Sequence, residues 1–217
     1  MTALPARLRR RTLAWFAALP ALVALAPRAR AQGQPRTPLA TTPPDAEGPF
    51  YPTRLPADAD ADLTRVAGRS GRAQGTPLRI SGRVLDTQGQ PLAGTKVELW
   101  QCDVRGVYHH VGGDAASEDP NFQGYGTLLT DADGRYAFTT IRPVPYGGRP
   151  PHLHFRLAHA SAKPLTTQLY PRGESAERFS GFGLSGRDAR ARLEFAMAPG
   201  GEASTLVAAY DFVLGRS

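Results

Sequence analysis

The sequence predicts an all-β protein, a two-sheet antiparallel β-sandwich with an extended N-terminal arm. The first observation is a series of eight short runs rich in β-forming residues, separated by turn-forming residues. They occupy residues 78–86, 95–103, 125–131, 135–141, 152–159, 165–171, 190–198 and 204–214. The second is the scarcity of helical periodicity, since only Glu174–Phe182 is a candidate short helix. Short strands at this spacing are typical of two packed antiparallel sheets.

The first 31 residues resemble an export signal. They combine a basic start, an apolar stretch at 13–26 and a small-x-small cleavage site at 29–31. Pro20 interrupts the apolar stretch, which is shorter than the ~20 residues of a membrane span, so no stable membrane anchor is expected. The Arg10-Arg11 pair resembles a twin-arginine signal and predicts an exported, periplasmic or extracellular protein. The sequence leaves open whether this segment is cleaved or retained.

Charge and cysteine content narrow the classes of partner. The six arginines of residues 1–31, which contain no acidic residue, account for six of the seven net positive charges. The remaining 186 residues, 217 less 31, are nearly neutral, so no nucleic-acid partner is indicated. They suffice for one domain, predicted at 77–217. Cys102 is the only cysteine, which excludes an intrachain disulfide, and its place at the end of an apolar strand predicts a buried, inert thiol.

Residues 32–76 are predicted to form the extended arm, because they are rich in Pro, Gly, Ala and Asp and show no helical or strand period. The DADAD motif at 58–62 imitates the start of a calcium loop. Leu63 and Arg69 stand where such a loop needs glycine and glutamate, so a solvated acidic turn is predicted instead. Downstream, DTQGQPLAG at 86–94 and DADG at 131–134 predict hairpin connections.

The segment PYGGRPPHLHF, at 145–155, holds the leading candidate site. Strand alternation places three apolar residues of HLHFRL on the core face and His152 and His154 on the other. Two histidines ~6.5–7 Å apart along a strand lean the same way, so both imidazoles can reach one metal ion at ~2.1 Å. The pair alone is equally consistent with a surface strand that has no function.

Two tyrosines add to this pattern. Tyr146 precedes the histidines through a Gly147-Gly148 turn, and Tyr108 follows the strand that carries Trp100. A phenolate is a hard anionic donor that suits Fe(III), whereas Zn(II) or Fe(II) sites more usually take His, Cys or carboxylate. A phenol with a pKa of ~10 is ionised at neutral pH only by such a cation. The alternative is that each tyrosine is an amphipathic core residue.

Taken in order, these motifs resemble the intradiol ring-cleavage dioxygenases, a family of non-haem Fe(III) enzymes, and within it an exported, single-chain type with protocatechuate 3,4-dioxygenase-like architecture. The resemblance covers most of residues 47–171. The matching segments are EGPFY (47–51), GRVLDTQGQPLAGTKVELWQCD (82–103), GVYHH (106–110), NFQGYGTLLTDADGRYAFTTIRPVPY (121–146), RPPHLHF (149–155) and TTQLYP (166–171).

The resemblance implies a ligand set and a reaction. The implied ligands of one Fe(III) per chain are Tyr108, Tyr146, His152 and His154. Tyr146 would also be catalytic, as the ligand that leaves when substrate binds. Arg149 would stabilise the reacting ring, and Gln168 and Pro49 would line the substrate pocket. The reaction would use O₂ to cleave a catechol-type ring between its two hydroxyl-bearing carbons and give a cis,cis-muconate-type dicarboxylate.

The substrate and the oligomeric state are not readable from these residues. Only two residues separate Tyr146 from Arg149, which predicts a more open site than that of the better-known catechol and protocatechuate enzymes. PVPY also stands at 143–146 in place of the family's more familiar PGxY. The substrate could be protocatechuate, catechol, hydroxyquinol or a substituted catechol, and a homo-oligomer is possible.

Two alternatives remain at this point. The run from residue 82 to 141 also resembles non-catalytic, transthyretin-like β-sandwich modules that bind carbohydrate or act as spacers, and these do not require the Tyr and His set. A zinc- or copper-dependent enzyme using the H-x-H pair would need a further His or carboxylate nearby. His109 and His110 are candidates, but on neighbouring strand positions they would face opposite ways, so at most one could join.

Overall fold

The computed structural model describes residues 37–112, 115–174, 187–201 and 204–217. The predicted export signal, and all of the candidate helix except Glu174, lie outside these ranges. Within them no helix is long and apolar enough to cross a membrane. The described secondary structure comprises β1 (Pro77–Asp86), β2 (Lys96–Trp100), β3 (Tyr125–Leu129), β4 (Arg135–Ile141), β5 (Leu153–His159), β6 (Ala162–Pro171), α1 (Arg187–Ala191), β7 (Glu194–Phe195), β8 (Met197–Pro199), β9 (Leu206–Ala209) and β10 (Phe212–Leu214), with a single 3-10 turn at Ala115–Ser117.

The strands form two five-stranded sheets, which confirms the predicted β-sandwich. In sheet 1, β1 is central and pairs with β4, β9 and β10, while β8 extends the sheet from β9. Sheet 2 has the order β3-β2-β5-β6-β7. Alternating apolar residues of both sheets fill the core, and Leu78, Val97, Phe138 and Phe155 are fully buried there. The period-2 pattern of the sequence is therefore the pattern of the core.

Three strand pairings depart from the antiparallel expectation. The short C-terminal strands β9 and β10 run parallel to β1, and β7 runs parallel to β6. The run predicted as a single strand at 204–214 is two strands, and α1 covers the beginning of the run predicted at 190–198. Alternation specifies which face a side chain occupies, but it does not specify the partner or direction of a strand.

The two predicted hairpins are tight turns that cross between the sheets. In 86–94 the Asp86 N–H donates to the Gln90 carbonyl at 2.9 Å, and in 131–134 the Gly134 N–H donates to the Asp131 carbonyl at 3.0 Å. Each turn leads from one sheet to the other, so the strands it joins are not hydrogen-bonded partners. The turns fold as predicted, and the hairpin pairing is wrong.

Residues 37–76 contain none of these strands or helices, and they pack directly on the sandwich. Ala59 accepts a hydrogen bond from β3 at 2.9 Å, while Ala61 and Leu63 exchange hydrogen bonds with Thr139 of β4 at 2.8 Å. Leu63 is fully buried in the main core, where such a side chain contributes ~1.5–3 kcal/mol. A Cβ on Gly126 would lie 2.4 Å from the Asp60 carbonyl oxygen, so only glycine lets this segment approach β3. Residues 59–63 thus close the edge between the two sheets.

The acidic turn predicted at 58–62 is also present. Asp60 accepts the Asp62 N–H at 2.7 Å, and Asp62 in turn accepts the Thr64 N–H at 3.0 Å. These carboxylates are occupied by local backbone donors, which is the behaviour of turn-forming aspartates.

Candidate active site

Three polar side-chain atoms meet in a buried cluster beside β5. The Tyr108 hydroxyl oxygen lies 3.3 Å from Nε2 of His152 and 3.1 Å from Nε2 of His154, and the two nitrogens are 3.1 Å apart. The exposed fraction of each side chain is small, at 5% for Tyr108, 2% for His152 and 1% for His154. Three donors at this spacing can bind one ion at ~2.1 Å.

Strand alternation positions both histidines, as predicted. Leu153, Phe155 and Leu157 are fully buried in the sandwich core, which turns His152 and His154 to the opposite face of sheet 2. That face is covered rather than solvent-facing at this point.

The register of sheet 2 builds a row of side chains across three strands. His154 lies opposite Trp100 of β2 and Gln168 of β6. The Trp100 indole stacks on the His154 ring with centroids 4.8 Å apart and planes 9° apart. A Cβ on Gly48 would lie 3.6 Å from the same imidazole, so residues 47–51 pass directly over it. The histidine is held between a strand neighbour and a covering segment.

Tyr108 is positioned by a loop organised around Asp103. This fully buried carboxylate accepts backbone N–H groups from Arg105 at 2.8 Å, Val107 at 3.1 Å and Asp119 at 2.8 Å, and lies 3.2 Å from His109 Nε2. Burial alone would raise the pKa of Asp103, but the combined hydrogen bonds lower it. An ionised hub of this kind fixes the loop that ends at Tyr108.

Tyr146 approaches the cluster from a two-residue hairpin. The Arg149 N–H donates to the Tyr146 carbonyl at 2.7 Å and the Tyr146 N–H donates back at 3.3 Å. Gly147 and Gly148 have φ of 50° and 78°, the left-handed values that a type I′ turn requires. The Tyr146 ring lies 5.2 Å from the Tyr108 ring and 5.5 Å from the His152 ring, between centroids. Tyr146 is half-buried, so this side of the site is reachable from solvent.

The hairpin also places Arg149 next to Gln168. Arg149 Nη2 donates to Gln168 Oε1 at 2.8 Å, and Gln168 is fully buried on β6. Pro49 is exposed, in the covering segment between Gly48 and Phe50. The structure thus brings together six of the seven predicted site residues and leaves Pro49 at the periphery.

The model of the family described as Dioxygenase, Dioxygenase_C, matches residues 46–215, which is most of the chain. The chain belongs to the intradiol ring-cleavage dioxygenase family.

Two relatives show how far the likeness extends. The chain is 39% identical over 154 residues to the protocatechuate 3,4-dioxygenase beta chain of Burkholderia cepacia, covering 67% of this chain and 66% of that protein. It is 33% identical over 151 residues to catechol 1,2-dioxygenase 1 of Acinetobacter lwoffii, covering 61% of this chain and 47% of that protein. The chain therefore spans between about half and two thirds of the length of these relatives.

A solved structure agrees with the fold. The dioxygenase domain of a dioxygenase carbohydrate-binding protein fusion from Streptomyces sp. SirexAA-E aligns with a TM-score of 0.61 and 28% identity. The alignment covers 82% of this chain and 100% of that domain. Membership of a dioxygenase family together with the intact Tyr and His set disfavours the non-catalytic spacer module.

The protonation chemistry of this dioxygenase-family site suits a hard cation. Burial lowers the pKa of His152 to about 4 and that of His154 well below its ordinary value, so both imidazoles are neutral donors. His152 Nδ1 lies 2.7 Å from the Pro150 carbonyl, which orients its Nε2 lone pair toward the cluster. Burial raises the pKa of Tyr108 well above its ordinary value, so a phenolate there needs a strong cation beside it. The donor set fits Fe(III).

The histidines at 109 and 110 do not belong to the cluster. His109 lies against Asp103, and His110 Nε2 donates to the Gln123 carbonyl at 2.9 Å. They lie in a bend rather than on a strand, and His110 has φ of 64°. Within the described ranges no group of three or more His, Cys, Asp or Glu side chains is placed to hold a metal ion. Cys102 is buried, as predicted, and burial raises the pKa of its thiol to about 12.

Two aromatic contacts with the candidate ligands, from Phe50 to Tyr108 and from Trp100 to His154, were not predicted from the sequence. Phe50 stacks on Tyr108 with centroids 4.5 Å and planes 9° apart, and its ring meets Tyr146 edge-on at 5.9 Å. Trp100 stacks on His154, as described above. Phe50 is in a segment with no strand period, so nothing in the local pattern directs its ring to Tyr108. The cross-strand register that brings Trp100 to His154 was equally inaccessible from one sequence.

Proposed function

We propose that this protein is a non-haem Fe(III) dioxygenase that uses O₂ to open a catechol-type ring between its two hydroxyl-bearing carbons and yields a cis,cis-muconate-type dicarboxylate. The observation that carries the proposal is the buried triangle of Tyr108, His152 and His154 donors, 3.1–3.3 Å apart, with the Tyr146 ring beside it. Two phenols and two neutral imidazoles, without Cys or carboxylate, favour a ferric ion.

The four proposed iron ligands differ in how deeply they are buried. Tyr108, His152 and His154 are buried and mutually fixed, so they are the permanent donors. Tyr146 is half-buried on the reachable hairpin, so it would be the fourth donor and the one most accessible to an entering diol. Its phenolic oxygen would be the protein group that takes up a proton from the diol. When bound, the ferric ion supplies Lewis-acid activation of the diol toward O₂.

Arg149 supplies the electrostatic part of the reaction. Its guanidinium is partly buried beside the cluster and is oriented by Gln168. Fixed positive charge in a site of restricted water access stabilises the negative charge that develops on an oxygen-bearing ring. Gln168 itself would be the polar wall of the pocket on the β6 side, and the 47–51 segment, which includes Pro49, would cover the site at His154.

Iron content and product analysis test this proposal. Purified protein is expected to hold about one iron per chain and to absorb visible light through tyrosinate-to-iron charge transfer. Incubation with O₂ and a panel of catechol, protocatechuate, hydroxyquinol and alkyl- or chloro-catechols should give a muconate from at least one member. A ring cut outside the two hydroxyl-bearing carbons, or an iron-free protein that cannot be reconstituted, would refute it.

Matched histidine variants separate the site from the fold. His154→Ala should lose iron and activity together, because it removes a buried donor. His159→Ala, on the same strand but outside the cluster, should retain both, since His159 only contacts the Ala93 carbonyl and Ser161. Tyr146→Phe should keep iron but turn over substrate poorly.

We also propose that the chain is exported by the twin-arginine route. The support is the Arg10-Arg11 pair followed by an apolar stretch and a small-x-small site. Replacing both arginines by lysine should leave folded protein in the cytoplasm, as measured by fractionation. Continued export of that double variant would refute the route without affecting the proposed chemistry.

A further inference from the structure

The orientation of Gln168 is determined by its partners on both sides. Its Nε2 donates to the Ala46 carbonyl at 2.6 Å and its Oε1 accepts from Arg149 Nη2 at 2.8 Å. Rotating the amide by half a turn would set its NH₂ against the guanidinium and its oxygen against the carbonyl. The amide oxygen therefore faces Arg149, and Gln168 connects Arg149 to Ala46, which directly precedes the 47–51 segment that passes over His154.

A second hydroxyl reaches the same oxygen. Tyr170 lies two residues along β6 on the same face, and its Oη is 2.9 Å from Gln168 Oε1 and 2.9 Å from Asp45 Oδ2. Tyr170 is fully buried and Asp45 is 5% exposed. A hydroxyl has a single proton, so Tyr170 divides it between the amide oxygen and the carboxylate. The acceptor strength that Gln168 offers Arg149 thus depends on Asp45.

Tyr170 is itself held in place from two further directions. The Arg190 guanidinium of α1 lies over its ring, 3.3 Å from the centroid, and the His152 ring lies 6.0 Å away. Asp45 is anchored independently, because its N–H donates to the Thr166 carbonyl of β6 at 3.0 Å and its Oδ1 accepts the Ala46 N–H at 2.7 Å. The Asp45 and Tyr170 end of this chain of contacts is therefore held in place.

We propose that Asp45 and Tyr170 are positioning residues for Arg149, acting through Gln168. Contacts of 2.8–2.9 Å connect Asp45 to Tyr170, Tyr170 to Gln168 and Gln168 to Arg149, the cation to which the proposed function gives the electrostatic role. The inference rests on the proposed function and extends it, since neither Asp45 nor Tyr170 belongs to the proposed ligand set. Their role is to limit where the guanidinium can lie.

A double-mutant cycle tests this role. Tyr170→Phe should lower kcat about 10-fold with less than about a 3-fold change in KM, because Arg149 acts mainly on charge that develops during the reaction. In an Arg149→Ala background the same change should cost less than about 2-fold, since its effect passes through the missing guanidinium. Tyr136→Phe is the matched control. It also removes a hydroxyl donor, to the Tyr210 carbonyl at 2.7 Å, and should change kcat less than about 2-fold in either background.

A structural readout accompanies the kinetics. Tyr170→Phe should bind as much iron as the wild type. In a crystal structure of Tyr170→Phe, the side chains of Gln168 and Arg149 should lie in positions different from those in the wild-type structure. Asp45→Asn preserves the shape of the side chain and should also lower kcat, by a smaller factor than Tyr170→Phe does.

The outcomes separate the two proposals. Additive losses in the cycle, or unchanged Arg149 and Gln168 positions in Tyr170→Phe, would overturn this inference while an active wild type keeps the proposed function. A wild-type protein that turns over no catechol would overturn the proposed function and this inference with it.

Discussion

Replacing Asp103 by alanine should destabilise the protein and release the loop that carries Tyr108. The carboxylate is fully buried and accepts three backbone N–H groups at 2.8–3.1 Å, with His109 Nε2 at 3.2 Å. Each buried donor left without an acceptor costs ~1–3 kcal/mol, and loops relax to recover part of this. We expect a net loss of about 3–5 kcal/mol, a large part of the ~5–15 kcal/mol that stabilises a typical domain.

Urea denaturation and iron binding measure the two consequences. A loss of that size corresponds to a fall in Tm of about 6–20 °C for a chain of this length. Iron affinity should fall as well, because one donor of the cluster is no longer held at 3.1–3.3 Å from the others. Asp103→Asn should lie between wild type and alanine, since one oxygen remains.

An exposed aspartate provides the control for this experiment. The Asp133 side chain is 75% exposed and only faces Arg135 at 3.6 Å, so Asp133→Ala should change the unfolding free energy by less than about 0.5 kcal/mol. If Asp103→Ala and Asp133→Ala proved equally mild, the hub assigned to Asp103 would be wrong.

Three further predictions concern the loss of stability at low pH, the reactivity of the Cys102 thiol and the contribution of the N-terminal arm to the unfolding free energy. Burial alone would raise the pKa of Glu98, but hydrogen bonds from Tyr125, Lys96 and Tyr51 lower it. The stabilising effect of ionised Glu98 is therefore present above the unfolded pKa of ~4.3 and is lost as pH falls through the lower folded pKa. In Glu98→Gln, the unfolding free energy measured by urea titration should fall less steeply at acidic pH than in the wild type. Cys102, whose pKa burial raises to about 12, should react with a thiol reagent only in unfolded protein. Leu63→Ala should cost ~2–5 kcal/mol in unfolding free energy, because it empties a fully buried site.

Each of these has a comparison that could contradict it. If the unfolding free energy of Glu98→Gln fell with acid pH as steeply as that of the wild type, the three hydrogen bonds would not stabilise the ionised form of Glu98. Rapid labelling of Cys102 in native protein would contradict its burial. Leu129→Ala is the control for the arm, since Leu129 is 67% exposed, and a cost equal to that of Leu63→Ala would mean that residues 59–63 do not close the core.

The sequence predicted the ligand face of the site because alternation is local. His152 and His154 must share a face when Leu153 and Phe155 occupy the core, and a Gly147-Gly148 pair suits a tight reversal beside them. The pairing of β9 and β10 with β1 was not predictable, because a strand's period contains no information on its partner.

The supporting residues escaped prediction for a related reason. Asp45 lies 125 positions from Tyr170 along the chain, and Glu98 lies 47 from Tyr51, yet each pair is joined at 2.9 Å. Contacts of this kind depend on the packed arrangement of segments, and residues 37–76 show no periodicity that would indicate which side chains point inward. Leu63 was noted only because it breaks the calcium-loop pattern, and its complete burial explains why that position holds leucine.

The parallel pairing of the last strands with the first has a kinetic consequence. β1 obtains its partners β9 and β10 from the last dozen residues of the chain, and Thr42 and Val213, 171 positions apart, exchange two hydrogen bonds of 2.9 Å. Closing loops of this length costs entropy before any native contact compensates it, which is the condition for slow folding. Until residues 206–214 have been synthesised, one edge of β1 has no partner strand, so this sandwich is expected to complete its fold late.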